Sequence, residues 1–363
     1  MKELWSPRIR GLEAYVPGEQ PKDRRYIKLN TNENPYPPSP KAIEAMREAV
    51  SADLRLYPDP ECAALLSALS RRYGVPAERI FTGNGSDEVL AMAFAAFFDP
   101  AGLPIRFADI SYSFYPVYAA FYGLPYEAVP LREDFTVPAE GFCVPNGGVV
   151  LANPNAPTAM ALPLSEVERI VAANPGAVVI VDEAYVDFGG ESALSLLDRY
   201  PNLLVVRTTS KSYSLAGLRV GWAMGNEDLI AALNTVKNSF NSYTLDRVAI
   251  AGAAAAIEDR AYFEACCRKV IATRERSVRE LTALSFTCLP SAANFIFAVP
   301  TGIGAEELFR RLRAEGVLVR YFKKPRIDGF LRISVGTDEE MDALFAAVRR
   351  ITGKTGEQGT GNR

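Results

Sequence analysis

Short apolar runs alternate with amphipathic stretches along the first two-thirds of the chain. The runs are four or five residues long and apolar on both faces, which is typical of buried β-strands. The predicted strands are Arg79–Thr82, Ile105–Asp109, Gly148–Ala152, Ala177–Val181, Leu203–Arg207 and Val220–Met224. The predicted helices between them include Pro40–Val50, Cys62–Tyr73, Asp87–Phe98 and Ser165–Ala173. This alternation predicts a mostly parallel sheet with helices on both faces.

The pattern changes after Glu258. One long amphipathic stretch predicts a helix over Arg260–Leu284, and shorter elements follow it. These are strands at Asn294–Val299, Val317–Phe322 and Leu331–Val335, and helices at Ala305–Glu315 and Thr337–Ile351. We therefore predict an α/β chain with a large domain of mostly parallel mixed sheet and a smaller α+β domain. The predicted divisions are an N-terminal arm that belongs to the small domain (1–30), the large domain (31–258), the small domain (259–351) and a disordered tail (352–363).

Polar residues mark three of the predicted helix starts. Ser39 and Ser86 each precede a favourable first turn and are predicted N-caps. "TDEE" at 337–340 has the spacing of a capping box.

Composition narrows the possible partners. The formal net charge is −3 without a basic tract, which disfavours a nucleic-acid groove or a polybasic membrane patch. No apolar run approaches the ~20 residues of a membrane-spanning helix, and the N-terminus lacks the apolar core of a signal peptide. The five cysteines are an odd number without metal-ligand spacing, so we expect reduced thiols in the cytoplasm and no metal site.

The chain contains no histidine. This excludes Ser-His-Asp and Cys-His catalysis, histidine-ligated metals and any imidazole base. In an enzyme of this composition, proton transfer falls to Lys, Tyr, Asp, Glu or Cys, or to a cofactor.

Polar clusters follow four of the predicted strands, where an open α/β sheet binds its ligands. They read "GNGSDE" at 83–88, "NPNAPT" at 153–158, "DEAY" at 182–185 and "TTSK" at 208–211. Each is a weak signal alone. Lysines are mostly solvated, and "GNG" lacks the third glycine of a dinucleotide fingerprint. Asp182 could be an ordinary helix cap, and Arg219 could belong to an ordinary structural ion pair.

Together the clusters fit one ligand. The helix start at Ser86 and Asp87 suits a phosphate, and Ser210 and Arg219 complete the phosphate site. Asp182 pairs with a protonated ring nitrogen.

Three further side chains and one lysine complete the ligand. Tyr185 and Asn155 donate to a phenolate oxygen, Tyr112 covers the ring, and Lys211 is the covalent anchor. A ring with a phosphate arm, a protonated nitrogen, a phenolate oxygen and an aldehyde is pyridoxal phosphate. This cofactor supplies an electron sink and leaves Lys211 as the base.

The order of several motifs carries a resemblance to a known family. The chain resembles the fold-type I pyridoxal-phosphate aminotransferases, and most closely their histidinol-phosphate aminotransferase branch, from about Arg10 to Ile351. The motifs are "NENP" at 32–35, "YPDP" at 57–60, "GNGSDE" at 83–88, "NPNAPT" at 153–158, "VDEAY" at 181–185, "TSKSYSLAGLRVGW" at 209–222 and "LRISVGT" at 331–337.

The resemblance implies further roles. Tyr57 reaches the phosphate of the neighbouring subunit's cofactor, so the active unit is a homodimer. Arg332 binds the substrate carboxylate, and Arg320 binds the substrate's other anionic end. Tyr15 and Asn34 belong to the segment that closes over the substrate.

The chain departs from the family pattern within "NPNAPTA". Ala156 stands where the family has an asparagine, and Ala159 replaces a glycine. Which asparagine contacts the phenolate oxygen therefore stays open, and Asn155 is our choice.

The resemblance implies an aminotransferase with an amine donor and a 2-oxo acid, and we expect histidinol phosphate with 2-oxoglutarate. The alternatives are an aromatic amino-acid aminotransferase and a threonine-phosphate-type decarboxylase. An aminotransferase converts its amine donor without loss of carbon dioxide, whereas the decarboxylase releases it. A non-catalytic sensing or scaffold protein of the same fold is opposed by the intact Lys211, Asp182 and Arg219.

Overall fold

Strands and helices fill most of the computed structural model, which describes residues 4–16 and 18–353. The strands are β1 (Ile27–Lys28), β2 (Ile80–Gly83), β3 (Ile105–Ala108), β4 (Tyr126–Val129), β5 (Gly148–Ala152), β6 (Val179–Asp182), β7 (Leu203–Thr208), β8 (Gly221–Met224), β9 (Phe286–Cys288), β10 (Phe295–Pro300), β11 (Val317–Leu318), β12 (Arg320–Tyr321) and β13 (Leu331–Ser334). The helices are α1 (Pro7–Arg10), α2 (Pro40–Ala49), α3 (Ala63–Tyr73), α4 (Gly85–Phe97), α5 (Tyr115–Tyr122), α6 (Leu164–Ala173), α7 (Glu227–Phe240), α8 (Arg247–Glu258), α9 (Arg260–Ala283), α10 (Ala305–Ala314) and α11 (Asp338–Thr352).

A seven-stranded sheet has the order β2-β8-β7-β6-β5-β3-β4. Only β8 runs antiparallel to its neighbours. Alternate residues of each central strand enter different cores: Val181 packs on the face that α3, α6 and α8 cover, and Ile180 on the face that α4, α5 and α7 cover. Burial on both faces explains the continuous apolar runs. The predicted α/β fold with a mostly parallel mixed sheet is confirmed.

A second, antiparallel sheet has the order β12-β13-β10-β9 and shares a core with α10 and α11. β1, from the N-terminal segment, pairs in parallel with β11. The single strand predicted over Val317–Phe322 is wrong, because the chain changes partner within it. β11 bonds to β1, whereas β12 bonds to β13.

Two of the three predicted helix starts are confirmed. The Ser39 hydroxyl accepts from the Lys41 N–H at 3.2 Å, and Thr337 closes a capping box with Glu340. Ser86 is not an N-cap, because α4 already begins at Gly85, whose φ of 81° lets the chain turn directly out of β2.

The predicted tail mostly lies outside the described residues, which end at residue 353. Thr352 still belongs to α11, so the tail cannot begin at residue 352. Among the described residues, no helix has both the length and the apolarity to cross a membrane.

A buried ion pair joins the ends of β6 and β7. Arg207 donates from Nε and Nη2 to Glu183 Oε2 at 3.0 and 2.8 Å, and from Nη1 to Asp187 at 3.3 Å. The Arg207 and Glu183 side chains are 7% and 0% exposed. The pair therefore holds the two strand ends that lead into Asp182 and Lys211.

Replacing Glu183 by alanine leaves the Arg207 guanidinium buried with Asp187 as its remaining carboxylate. We expect the free energy of unfolding in urea to fall by about 3–5 kcal/mol. Glu307→Ala is the control, since Glu307 pairs with Arg310 at the surface and its loss should change stability by less than about 0.5 kcal/mol. Equal losses in the two variants would contradict the structural importance of the buried pair.

Candidate active site

The cleft at the carboxyl ends of β5, β6 and β7 follows from their register. Ala152 at the end of β5 pairs with Asp182, and Asp182 pairs with Val206. The polar segments that follow these strands therefore begin at one level of the sheet. Two adjoining cavities of about 100 and 460 Å³ open there. Both are lined by Asp87, Tyr112, Ala156, Tyr185, Lys211 and Arg219.

Lys211 follows β7 and lines both cavities. Its Nζ lies 3.4 Å from the Thr31 carbonyl oxygen and 5.6 Å from the centre of the Tyr185 ring. Within the described chain it forms no ion pair with a carboxylate. The Asn34 amide donates to the Lys211 carbonyl at 3.0 Å. The lysine is thus held by its backbone while its amine stays available for reaction.

An anion site is formed where α4 begins. A Cβ on Gly85 would lie 2.4 Å from Arg219 Nη2, and one on Gly221 would lie 2.3 Å from the Ser86 nitrogen. Glycines at both positions let Arg219 and β8 approach the N–H groups of the helix start. Ser210 Oγ lies 3.4 Å from Arg219 Nη1. A helix N-terminus, a guanidinium and a hydroxyl together fit a phosphate.

The side chain of Asp87, in the first turn of α4, is engaged by other protein groups. Its carboxylate is already bonded, to the Tyr112 hydroxyl at 2.7 Å and to Arg219 at 3.3 Å. Burial and the Asp87 charge raise the pKa of Tyr112 above its usual value, so this hydroxyl keeps its proton. Tyr112 lines both cavities, and the role of its ring in covering a ligand stays a prediction.

Asp182 is a buried carboxylate without a cationic partner among the described residues. It is 6% exposed and accepts from the Tyr115 hydroxyl at 3.0 Å and from the Ala184 N–H at 3.1 Å. Burial raises its pKa to about 6. A ligand that brings a protonated ring nitrogen would supply the missing partner. Sequence reasoning missed Tyr115, although it belongs to the aromatic segment that contains Tyr112.

Asn155 does not face the cleft. Its amide donates to the Ile110 carbonyl at 2.9 Å and to Thr158 Oγ1 at 3.0 Å, and its oxygen accepts from Ser111 at 2.8 Å. No N–H of Asn155 is left for a ligand oxygen. The expectation for Asn155 is therefore corrected: Ala156 lines the cavities in its place, and Tyr185 is the donor that remains.

Two arginines line the wider cavity. Arg332 donates from Nη2 to the Asn30 carbonyl at 2.9 Å, and its buried Nε lacks a hydrogen-bond partner. The Arg332 and Arg320 guanidinium groups lie 5.5 and 5.4 Å from the Phe322 ring centre. Burial lowers the pKa of Arg332. Neither arginine has a described carboxylate partner, so the cavity suits an anionic ligand.

Three remaining predicted residues lie in different surroundings. Tyr15 lines the wider cavity and packs on Phe114 at 4.4 Å between ring centres. Asn34 supports the Lys211 backbone. Tyr57 is outside both cavities, 78% exposed, and stacks on Tyr243 at 4.6 Å.

Several lining residues were not among the predicted site residues, although Thr208 lies in the strand-end cluster at 208–211 and Asn32 in the motif at 32–35. They include Asn30, Thr31, Asn32, Ser111, Phe114, Thr208 and Phe322.

Comparison with known proteins places the chain in a family. The model of the family "Aminotransferase class I and II" matches residues 24–348. A histidinol-phosphate aminotransferase of Marinomonas sp. (strain MWYL1) is 56% identical over 354 residues, which cover 97% of this chain and 100% of that protein. One of Pseudomonas putida (strain W619) is 58% identical over 348 residues, covering 96% and 100%.

A solved structure agrees. The crystal structure of histidinol-phosphate aminotransferase from Sinorhizobium meliloti in complex with pyridoxal-5'-phosphate has a TM-score of 0.85 at 27% identity, covering 96% of this chain and 98% of its own. The range matched by the family model contains Asp182, Lys211 and Arg219, and these charged groups fit that cofactor. This chain therefore belongs to the class I and II aminotransferases, the pyridoxal-phosphate-dependent transaminases of fold type I.

Proposed function

We propose that this chain transfers the amino group of histidinol phosphate to a 2-oxo acid such as 2-oxoglutarate, with pyridoxal phosphate anchored on Lys211. The observation that carries the proposal is the convergence of Lys211, Asp182 and Arg219 on one cleft. The relatives that are 56% and 58% identical bear the name of this activity.

Each cofactor group has a matching side chain. Backbone N–H groups of Ser86 and Asp87, with Ser210 and Arg219, would hold the phosphate. Asp182 would pair with the ring nitrogen, and Tyr185 would donate to the phenolate oxygen. The bound cofactor supplies an electron sink for the substrate carbon.

Lys211 carries the proton chemistry. Its amine would anchor the cofactor, and once free, the neutral Nζ would take up the proton released by the substrate carbon and hold it as an ammonium group until it is returned. No histidine is available for this step. The Tyr112 hydroxyl is engaged by Asp87, which leaves Lys211 as the base beside the reacting atoms.

The two arginines favour a donor with an anionic group. Arg320 and Arg332 lie without carboxylate partners among the described residues, and one half-reaction brings a phosphate while the other brings carboxylates. Tyr15, Phe114 and Phe322 add an aromatic wall that also suits an aromatic amino acid. The aromatic aminotransferase is therefore the second candidate.

We also propose a homodimer in which Tyr57 reaches the neighbouring subunit's site. Two segments joined by the Tyr57–Tyr243 stack expose a set of apolar side chains. Their exposed fractions are Val50 62%, Leu54 52%, Leu56 48%, Tyr57 78%, Phe240 80% and Tyr243 42%. Exposed apolar surface of this kind is typical of protein–protein contacts.

The domain divisions at residues 31–258 and 259–351 and the cytoplasmic location remain parts of this proposal. The seven-stranded sheet lies before residue 258 and the four-stranded sheet after it, which supports the division. Five free thiols support a reducing compartment.

Lys211→Ala should abolish amino transfer, by more than ~10³-fold in kcat, because both anchor and base are removed. The cofactor should still bind noncovalently, since the phosphate and ring contacts remain. Stopped-flow absorbance and equilibrium dialysis measure the two effects. Lys41→Ala, an exposed lysine on α2, should behave as wild type. Normal turnover by Lys211→Ala would contradict the assignment.

Single-turnover spectra should identify the donor. Cofactor-loaded protein is mixed separately with histidinol phosphate, phenylalanine and phosphothreonine. We expect loss of the visible band of the lysine-bound cofactor with histidinol phosphate alone. Conversion with phenylalanine only would make the protein an aromatic aminotransferase, and carbon dioxide release from phosphothreonine would make it a decarboxylase.

Cofactor affinity should depend on the ionisation of Asp182. The pKa of Asp182 is about 6 in the cofactor-free protein, and the ring pairs with the ionised form. Affinity should therefore weaken as the pH falls below 6, by up to about tenfold per pH unit from this group. The phosphate also titrates near pH ~6. In Asp182→Asn only the phosphate titration remains. This variant should bind the cofactor more weakly than wild type at pH 7, and its affinity should change less steeply with pH. Identical slopes would overturn the role of Asp182.

Subunit mixing should test Tyr57. Lys211→Ala and Tyr57→Ala chains are refolded together in equal amounts. If Tyr57 acts across the interface, the mixed dimer has one complete site, and about a quarter of wild-type activity should return. If Tyr57 acts within its own subunit, or if the chain is a monomer, no activity beyond that of the separate variants returns.

A further inference from the structure

Asn32 is a buried residue of the N-terminal segment that contacts the site. It is 1% exposed and belongs to the set of residues around the wider cavity. Its φ of 55° lies in the left-handed region, which asparagine adopts more readily than most residues. Its position is therefore set by specific bonds rather than by regular secondary structure.

The hydrogen bonds of Asn32 fix the orientation of its amide. The Asn32 backbone N–H donates to Ser334 Oγ at 2.8 Å. The Ser334 oxygen is therefore the acceptor of this bond. Ser334 Oγ has one proton, which it donates to Asn32 Oδ1 at 2.9 Å. Nδ2 must then point the other way, towards the Tyr185 hydroxyl at 3.1 Å. The Asn294 amide holds the Asn32 carbonyl at 3.0 Å.

This network determines where the Tyr185 proton points. An amide nitrogen only donates, so the Tyr185 oxygen accepts from Asn32 and its own proton must point elsewhere. Among the described residues the Tyr185 hydroxyl has no protein acceptor, and it lies at the cleft. The Ala156 side chain has no donor, and both side-chain N–H groups of Asn155 are engaged. Tyr185 is left as the donor at this position.

We propose that Asn32 is a positioning residue that turns the Tyr185 hydroxyl towards the cofactor oxygen and thereby offsets the lack of an asparagine at residue 156. This rests on the proposed function, in which Tyr185 donates to the phenolate oxygen. Ser334 belongs to β13, so the second sheet contributes to the orientation of a donor carried by the first.

The readout is the pH at which the visible band of the lysine-bound cofactor titrates in the absence of substrate. A hydrogen bond donated to the phenolate stabilises the deprotonated chromophore, whose oxygen carries more negative charge, and so lowers this pKa. Loss of the Tyr185 donation should raise it. A role of Asn32 in stability alone would leave the chromophore pKa unchanged.

Asn32→Gly removes the amide without adding charge and tolerates the positive φ. We expect the chromophore pKa to rise by about one unit, a tenfold change in the protonation equilibrium. Asn32→Asp keeps the shape but can only accept, so it turns the Tyr185 proton away from the cleft. It should raise the pKa further, partly through its charge. Ser334→Ala, which leaves the Asn32 amide unfixed, should give a smaller rise.

Each Asn32 variant is repeated in Tyr185→Phe. Asn32→Gly should have no effect there, because the hydroxyl on which it acts is absent. The control Asn174→Gly removes a buried amide bonded to the Phe142 and Ile170 carbonyls and should leave the chromophore pKa unchanged. If Asn32→Gly or Ser334→Ala does not fold, the test rests on Asn32→Asp, measured with Tyr185 present and in Tyr185→Phe. The chromophore pKa must then shift more when Tyr185 is present.

An unchanged chromophore pKa in the Asn32 variants, or an equal shift with and without the Tyr185 hydroxyl, would overturn this inference. The proposed function fails in a different way. A wild-type protein without a visible band would lack the covalent cofactor, and a normal band without turnover of histidinol phosphate would count against the substrate only.

Discussion

The parallel register of β5, β6 and β7 is the constraint on which the site depends. Neighbouring strands lie ~4.8 Å apart, so the paired residues Ala152, Asp182 and Val206 lie within ~10 Å of one another, at the edge from which the polar segments leave the sheet. β8 runs the other way, which brings Arg219, two residues before its start, to the same edge. Strand direction thus brings distant parts of the sequence together at the cleft, and no other structural feature is needed for this.

The elements that the sequence predicted well are those buried on both sides. Their apolar runs are continuous, and only their ends shifted by one or two residues. β4 escaped prediction because it is an edge strand whose first three residues are exposed. α5 was missed because it contains no charged or amide side chain, which leaves no polar face to reveal a helical period. The break between β11 and β12 depends on a change of pairing partner, which an apolar run does not record.

The site residues likewise fall into those that could be predicted from the sequence and those that could not. Residues at or just beyond strand ends, such as Asp182 and Lys211, could be predicted because topology alone brings them together. Asn155 could not, because the local turn decides which of two successive residues faces the cleft. Tyr115 and Asn32 owe their places to contacts with Asp182, Ser334 and Tyr185, which lie far away in sequence.

The cleft holds charges that the protein leaves unneutralised. Asp182 is buried without a cation, whereas Arg320 and Arg332 lack anions within the described chain. Close by, Glu183 and Arg207 neutralise each other and connect the strand ends. Charges without protein partners are complementary to a ligand that carries a ring cation and anionic arms. The central claim is that Lys211 is the residue this arrangement presents to such a ligand.

Chemical trapping tests that claim most directly. The protein is incubated with pyridoxal phosphate, reduced with borohydride and digested, and the modified peptides are identified by mass spectrometry. We expect a single stoichiometric modification on Lys211, competed by histidinol phosphate added before reduction. Modification of another lysine, or a low yield spread over the surface lysines, would contradict it.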